Sequence, residues 1–139
     1  NEWIAADNQR TFVRTKQELN AVDTSNVKQL FGLFNSNHLL YNLDVQRDNL
    51  QETMPSLTDM TLKAIDILSQ NENGFFLFVE GGRIDHGHHD NQAKYAVDET
   101  VEFSKAIEAA LEKVDLEETL VVVTADHGHV MTLAGYAVS

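Results

Sequence analysis

Two short apolar runs constrain this chain more than anything else in it. Phe75-Phe76-Leu77-Phe78-Val79 and Leu120-Val121-Val122-Val123 are uninterrupted, without the alternation of a strand that shows one face to water. Runs of this kind are expected of strands covered on both faces, as in parallel sheets. Each run follows an amphipathic helical pattern. Leu57, Met60, Ala64, Ile65 and Leu68 recur at three- and four-residue spacing before the first, and Val97, Val101, Ile107, Leu111 and Val114 mark a helix before the second. Ser56 with Asp59 three residues on resembles a capping box, Pro55 sits just outside the start, and Asn73-Gly74 breaks the pattern. Helix, buried strand, helix, buried strand is the order of a parallel α/β sheet, with right-handed crossovers and helices on its faces.

The first fifty residues are less regular. Thr15 with Glu18 predicts a short capped helix through Ala21, and Ser25 predicts a turn running to Phe31 with Gly32 ending it. Leu39, Tyr41, Leu43 and Val45 alternate against Asn42 and Asp44, the pattern of a half-buried strand. A length of 139 residues suits one compact domain, and 42% apolar content with a single proline excludes a disordered chain. The longest apolar run is five residues, against the roughly 20 needed to cross a bilayer as a helix. A net charge of -12 repels phosphate backbones and argues against a nucleic-acid partner. The same acidity suits carboxylates awaiting divalent cations, and equally a solvated surface. The absence of cysteine excludes disulfides and thiolate metal sites. The chain opens on Asn1 rather than Met and reads as a piece of something longer.

Chemistry concentrates after the two apolar runs. Five of the six histidines lie there: His86, His88 and His89 after the first, His127 and His129 after the second. Acids accompany them, Glu80 and Asp85 in one segment and Asp126 in the other. Open parallel sheets collect ligands beyond the carboxyl ends of their strands, and a single crossover would make these two strands neighbours. The two clusters should therefore face each other. Imidazole nitrogens and carboxylate oxygens without thiolate suit zinc, with magnesium or manganese where carboxylates dominate. One histidine at a strand end is ordinary, whereas five of six at two such ends is not. Glycines at 81, 82 and 87 would allow close backbone approach.

These segments carry a resemblance. Gly74 through His89, GFFLFVEGGRIDHGHH, resembles the metal-site signature of alkaline phosphatases. Thr124 through Val130, TADHGHV, resembles the second signature of that family, where a serine often stands at the place of Gly128. MPSLTDMT at 54–61 and GLF at 32–34 resemble its animal-type members. The resemblance implies a three-layer α/β sandwich with a mostly parallel central sheet, incomplete here. Residues 1–139 would be a partial single domain, the central portion of the catalytic domain. It implies a phosphomonoester hydrolase with two zinc ions and one magnesium ion, acting through a phosphoserine intermediate. Asp85 and His89 match ligands of the first zinc, Asp126 and His127 ligands of the second, and Glu80 a magnesium ligand. His86, His88 and His129 match no ligand position and are expected to orient ligands by hydrogen bonds. Arg83 is expected in a structural ion pair.

The nucleophilic serine, a bridging aspartate, the phosphate-binding arginine and a further histidine match no position here, so this chain alone should not turn over phosphate esters. Asn35 and Met54 stand where animal-type members carry calcium-binding carboxylates, and a methionine offers calcium no hard oxygen. The resemblance further implies small phosphate monoester substrates, a homodimer, and a lipid (GPI) anchor at the outer face of the cell membrane. A sulfatase or phosphodiesterase of the wider superfamily would keep Asp-His pairs but not the full EGGRIDHGHH run. A reading from a different class is a non-catalytic metal-binding or partner-binding remnant of the same fold.

Overall fold

A computed structural model describes residues 2–132 and 135; the strand-like apolar stretch that the sequence suggests just before Ser139 lies, Gly135 apart, outside the described residues. The chain begins with helix α1 (Glu2–Ala5), strand β1 (Arg10–Val13), helix α2 (Lys16–Ala21) and strand β2 (Gln29–Gly32). β1 and β2 pair in parallel, Arg10 opposite Gln29 and Val13 opposite Gly32, so α2 is the crossover of a small βαβ unit. Helices α3 (Asn42–Arg47), α4 (Leu57–Leu68), α5 (Arg83–His89) and α6 (Ala93–Lys113) follow.

Capping signals in the sequence correspond to real helix starts. The Thr15 hydroxyl accepts from the Glu18 backbone N–H at 3.1 Å and opens α2. At α4 the box is reciprocal: Ser56 Oγ accepts from Asp59 N at 3.1 Å, and Asp59 Oδ2 accepts from Ser56 N at 2.8 Å. Lys16 reaches the same Asp59 carboxylate at 2.8 Å and ties α2 to α4. Burial pushes the Asp59 carboxyl up, but Lys16 and the Ser56 hydrogen bonds outweigh it and hold the group below its ordinary range. The long helices α4 and α6 pack together and form the most extensive contact between elements. Ile65, Ala96 and Ala106 are buried there, while Val13, Leu19, Val27, Tyr41 and Val45 extend the core under the βαβ unit and α3.

Four expectations are corrected. The strand expected from Leu39 to Val45 is instead the entry to α3, because Tyr41 is buried and Asn42 is drawn onto α6. Asn42 N donates to Glu99 Oε1 at 2.6 Å and its side-chain amide to Asp98 Oδ2 at 2.8 Å. The turn from Ser25 stops at Asn26, where Asp23 collects the Ser25 and Asn26 side chains, and Gln29–Gly32 is recruited as a strand by pairing with β1. Residues 75–79 and 120–123, expected as buried strands, carry no ladder among the described residues. Phe76, Phe78, Leu120 and Val122 are 86%, 76%, 88% and 73% exposed, since no described backbone offers these segments partners. Finally, the polar stretch after the first apolar run contains a helix, α5, that no apolar periodicity announced.

Candidate metal centre

Helix α5 and the segment around His127 build the site. Gly87 is buried and lets α5 press on α6: a Cβ there would lie 2.8 Å from Ala96 N and 3.0 Å from Ala96 Cα. With Gly87 against α6, the helical period turns Asp85 and His89 to the other side. In the second segment, His127 and His129 are two residues apart, a spacing that puts side chains on one side of extended backbone.

The two segments meet over Asp85. Its Oδ1 lies 2.5 Å from His129 Nε2, 3.4 Å from His89 Nε2 and 3.6 Å from His127 Nε2. The hydrogen bond from His129, with the charges of His89 and His127, holds the Asp85 carboxyl below its ordinary range against the upward push of burial. The histidine rings also contact one another. His88 stacks on His129 with centroids 4.8 Å apart and 9° between planes, while the His88 Nδ1 bonds to the Ile84 carbonyl at 2.8 Å.

Among the described residues, donor atoms of Asp85, His127 and His129 all fall within 4.8 Å of one another. The tautomer of His127 follows from its neighbour. Its Nδ1 sits 3.2 Å from the Gly128 carbonyl oxygen, which can only accept, so Nδ1 carries a proton. In the neutral ring, Nε2 then presents a lone pair, 3.6 Å from Asp85 Oδ1 and 3.6 Å from Asp126 Oδ2. The His127 lone pair and the Asp85 carboxylate, side by side, form a donor pair that a metal cation could bridge. Nitrogen and carboxylate donors of this kind fit zinc.

The structure thus gathers Asp85, His89 and His127 of the residues singled out from the sequence. Asp126 stands at the rim, its side chain 87% exposed and in reach of His127 only. Glu80 is exposed, its carboxylate lies beside Gly82, and it is not a member of the tight Asp85 group. His129, read from the sequence as an orienting group, lies in the tightest group as the hydrogen-bond partner of Asp85. Arg83 forms no ion pair among the described residues. Its guanidinium lies over the Tyr41 ring, Cζ 3.6 Å from the centroid, and Nη1 donates to His86 Nδ1 at 2.9 Å. An aromatic face, which residue spacing could not reveal, takes the place of the expected carboxylate.

Comparison with known proteins bears on the same residues. A family model described as alkaline phosphatase matches residues 1–139. The chain is similar to the tissue-nonspecific alkaline phosphatase of Homo sapiens, 50% identical over 90% of this chain and 23% of the relative. It is likewise similar to the membrane-bound alkaline phosphatase of Bombyx mori, 48% identical over 91% of this chain and 22% of the relative. Among solved structures, the alkaline phosphatase of Thermus thermophilus superposes with a TM-score of 0.72 at 31% identity, over 81% of this chain and 23% of that one. The cold-active enzyme of Shewanella sp. gives 0.64 at 28% identity, over 81% of this chain and 26% of that one. The chain therefore spans about a quarter of the length of these relatives. Matched from its first residue to its last, with half its aligned positions identical in animal relatives, it belongs to the alkaline phosphatase family.

Proposed function

We propose that this chain supplies metal ligands to a phosphomonoester hydrolase that uses two zinc ions, one magnesium ion and a phosphoserine intermediate. The observation that carries the reading is the meeting of the two motif segments over the Asp85 carboxylate. In this reading Asp85 and His89 hold one zinc, Asp126 and His127 the other, and Glu80 contributes to magnesium. Divalent ions bound there would neutralise charge on a phosphoryl group undergoing in-line displacement. The chain's own residues have simpler tasks. Asp85 provides the central oxygen, His127 keeps its lone pair on Nε2 because Nδ1 donates to the Gly128 carbonyl, and His129 orients Asp85 through its hydrogen bond.

The reading extends to small phosphate monoesters as substrates and to a membrane-associated, dimeric parent protein with a lipid anchor. Its support is the family and the Bombyx mori relative described as membrane-bound. No described helix is long and apolar enough to cross a membrane.

Calorimetric zinc titration tests the proposal. The wild-type chain should take up zinc, and Asp85→Asn or His127→Ala should each weaken uptake by about tenfold or more. Uptake unchanged in both variants would sink the assignment of the site. Zinc-dependent hydrolysis of p-nitrophenyl phosphate is expected from the longer protein and not from these 139 residues alone. Zinc uptake without hydrolysis in either would favour the non-catalytic reading.

A further inference from the structure

Helix α5 has seven residues, and its N-cap, Gly82, makes no side-chain cap. A helix that short does not hold itself together in water, so something outside it must set both its existence and its rotation. α6 packs along α5, most tightly at Gly87 against Ala96. A further restraint, applied at both ends of α5, comes from Tyr41, a residue more than forty positions earlier in the chain.

Tyr41 is 7% exposed and touches both ends of α5. Its ring face carries the guanidinium of Arg83, the first residue of the helix, and its hydroxyl donates to Oδ2 of Asp90, the C-cap, at 3.1 Å. The ring is itself seated edge-on against Tyr95 of α6, centroids 4.8 Å apart, and the next residue, Asn42, is bonded to Glu99 and Asp98. Tyr41 therefore ties α5 to α6 from end to end. The Arg83 Nε is buried without a hydrogen-bond partner, so directional bonding alone does not account for this guanidinium's position. Stacking of the planar cation on the ring does.

Helical geometry converts this strap into a statement about the metal centre. Arg83, His86 and Gly87 fall on one side of α5, while Asp85 and His89 fall on the opposite side. His86 joins the packed side, its ring 4.4 Å from that of His38 and its Nδ1 accepting from Arg83. Fixing the first side aims the second at His127 and His129.

We infer that the Arg83–Tyr41 stack is a positioning element for the metal centre, setting the rotation of α5 that brings Asp85 and His89 to the second motif. The inference rests on the metal-binding reading above. Neither Arg83 nor Tyr41 is a ligand in it.

The test is zinc affinity of the full chain together with the visible absorption of cobalt(II) substituted for zinc, whose intensity reports ligand geometry. Tyr41→Leu and Arg83→Ala should each lower zinc affinity by about tenfold or more and weaken the cobalt bands, as loss of an outer support does. Tyr41→Phe keeps the ring face and loses only the hydroxyl, so it should retain affinity to within about threefold and keep the bands. Far-ultraviolet circular dichroism checks that α4 and α6 persist in every variant. If wild type binds and Tyr41→Leu binds equally well, the positioning role is overturned while the metal site stands. Equal losses in Tyr41→Phe and Tyr41→Leu would overturn the stack as the agent. A wild-type chain that takes up neither zinc nor cobalt removes the metal reading and this inference with it.

Discussion

Glu99 shows how a single side chain can couple fold and acidity. It lies half-buried on α6 and accepts the backbone N–H of Asn42, which helps hold the entry to α3. Burial pushes its carboxyl above the ordinary Glu range, the Asn42 hydrogen bond opposes that, and nearby Asp98 adds to the rise. A folded chain that binds this proton more tightly than the unfolded chain loses stability as pH rises through the folded value. Glu99→Gln keeps an acceptor for Asn42 and cannot ionise. The variant should flatten that decline and unfold at a higher urea concentration than wild type at pH 7, with no advantage at pH 4. Equal urea midpoints for the two proteins at both pH values would contradict this account. Residues of this kind are poorly legible in a sequence: a glutamate on an amphipathic helix reads as part of its wet face, and the backbone of Asn42 that Glu99 meets lies far away along the chain.

Among the elements, α4 and α6 were readable because an apolar stripe at three- and four-residue spacing survives in them, with a capping box to start α4. Ser56→Ala removes that box and should cost about 1 kcal/mol in urea unfolding. The case of α5 is opposite. Its sequence, RIDHGHH, has one large apolar residue and a glycine in mid-helix, so neither periodicity nor propensity predicts it. It exists because Gly87 admits α6 to contact and Tyr41 closes over it. Gly87→Ala would drive a methyl group into the Ala96 backbone, an overpacking worth about 1–3 kcal/mol. Loss of zinc affinity should accompany the loss of stability. A variant with wild-type stability and zinc affinity would show that the α5–α6 contact is looser than these distances indicate. The strand expected at Leu39–Val45 failed for a related reason, since a short alternation is also compatible with the turn that begins α3.

For the whole molecule, the two apolar runs are the unresolved demand. Phe76, Phe78, Leu120 and Val122 face outward on backbone without ladder partners, while the chain carries a net charge of -12. Open backbone and exposed apolar side chains favour association, and like charge opposes it. Salt shortens the reach of that repulsion, from about 30 Å at 0.01 M to about 3 Å at 1 M. Sedimentation of the 139-residue chain should therefore show association that grows with salt. Phe76→Glu combined with Phe78→Glu should suppress it, whereas association that falls with salt would point to charge pairing instead.

The sequence by itself determined the parallel α/β character, the two long helices and the start of α4, the family, and the two segments where the histidines and acids gather. Each of these is written in local pattern: a period, a cap, or a contiguous motif. Tertiary structure alone decided which donors meet. It brought His127 and His129 onto Asp85 across more than forty residues, left Glu80 and Asp126 outside the tightest group, and placed Arg83 on an aromatic face. The physical reason is that the rotation of a short helix, and the partner of a buried cation, depend on packing against distant residues, which spacing along the chain does not encode.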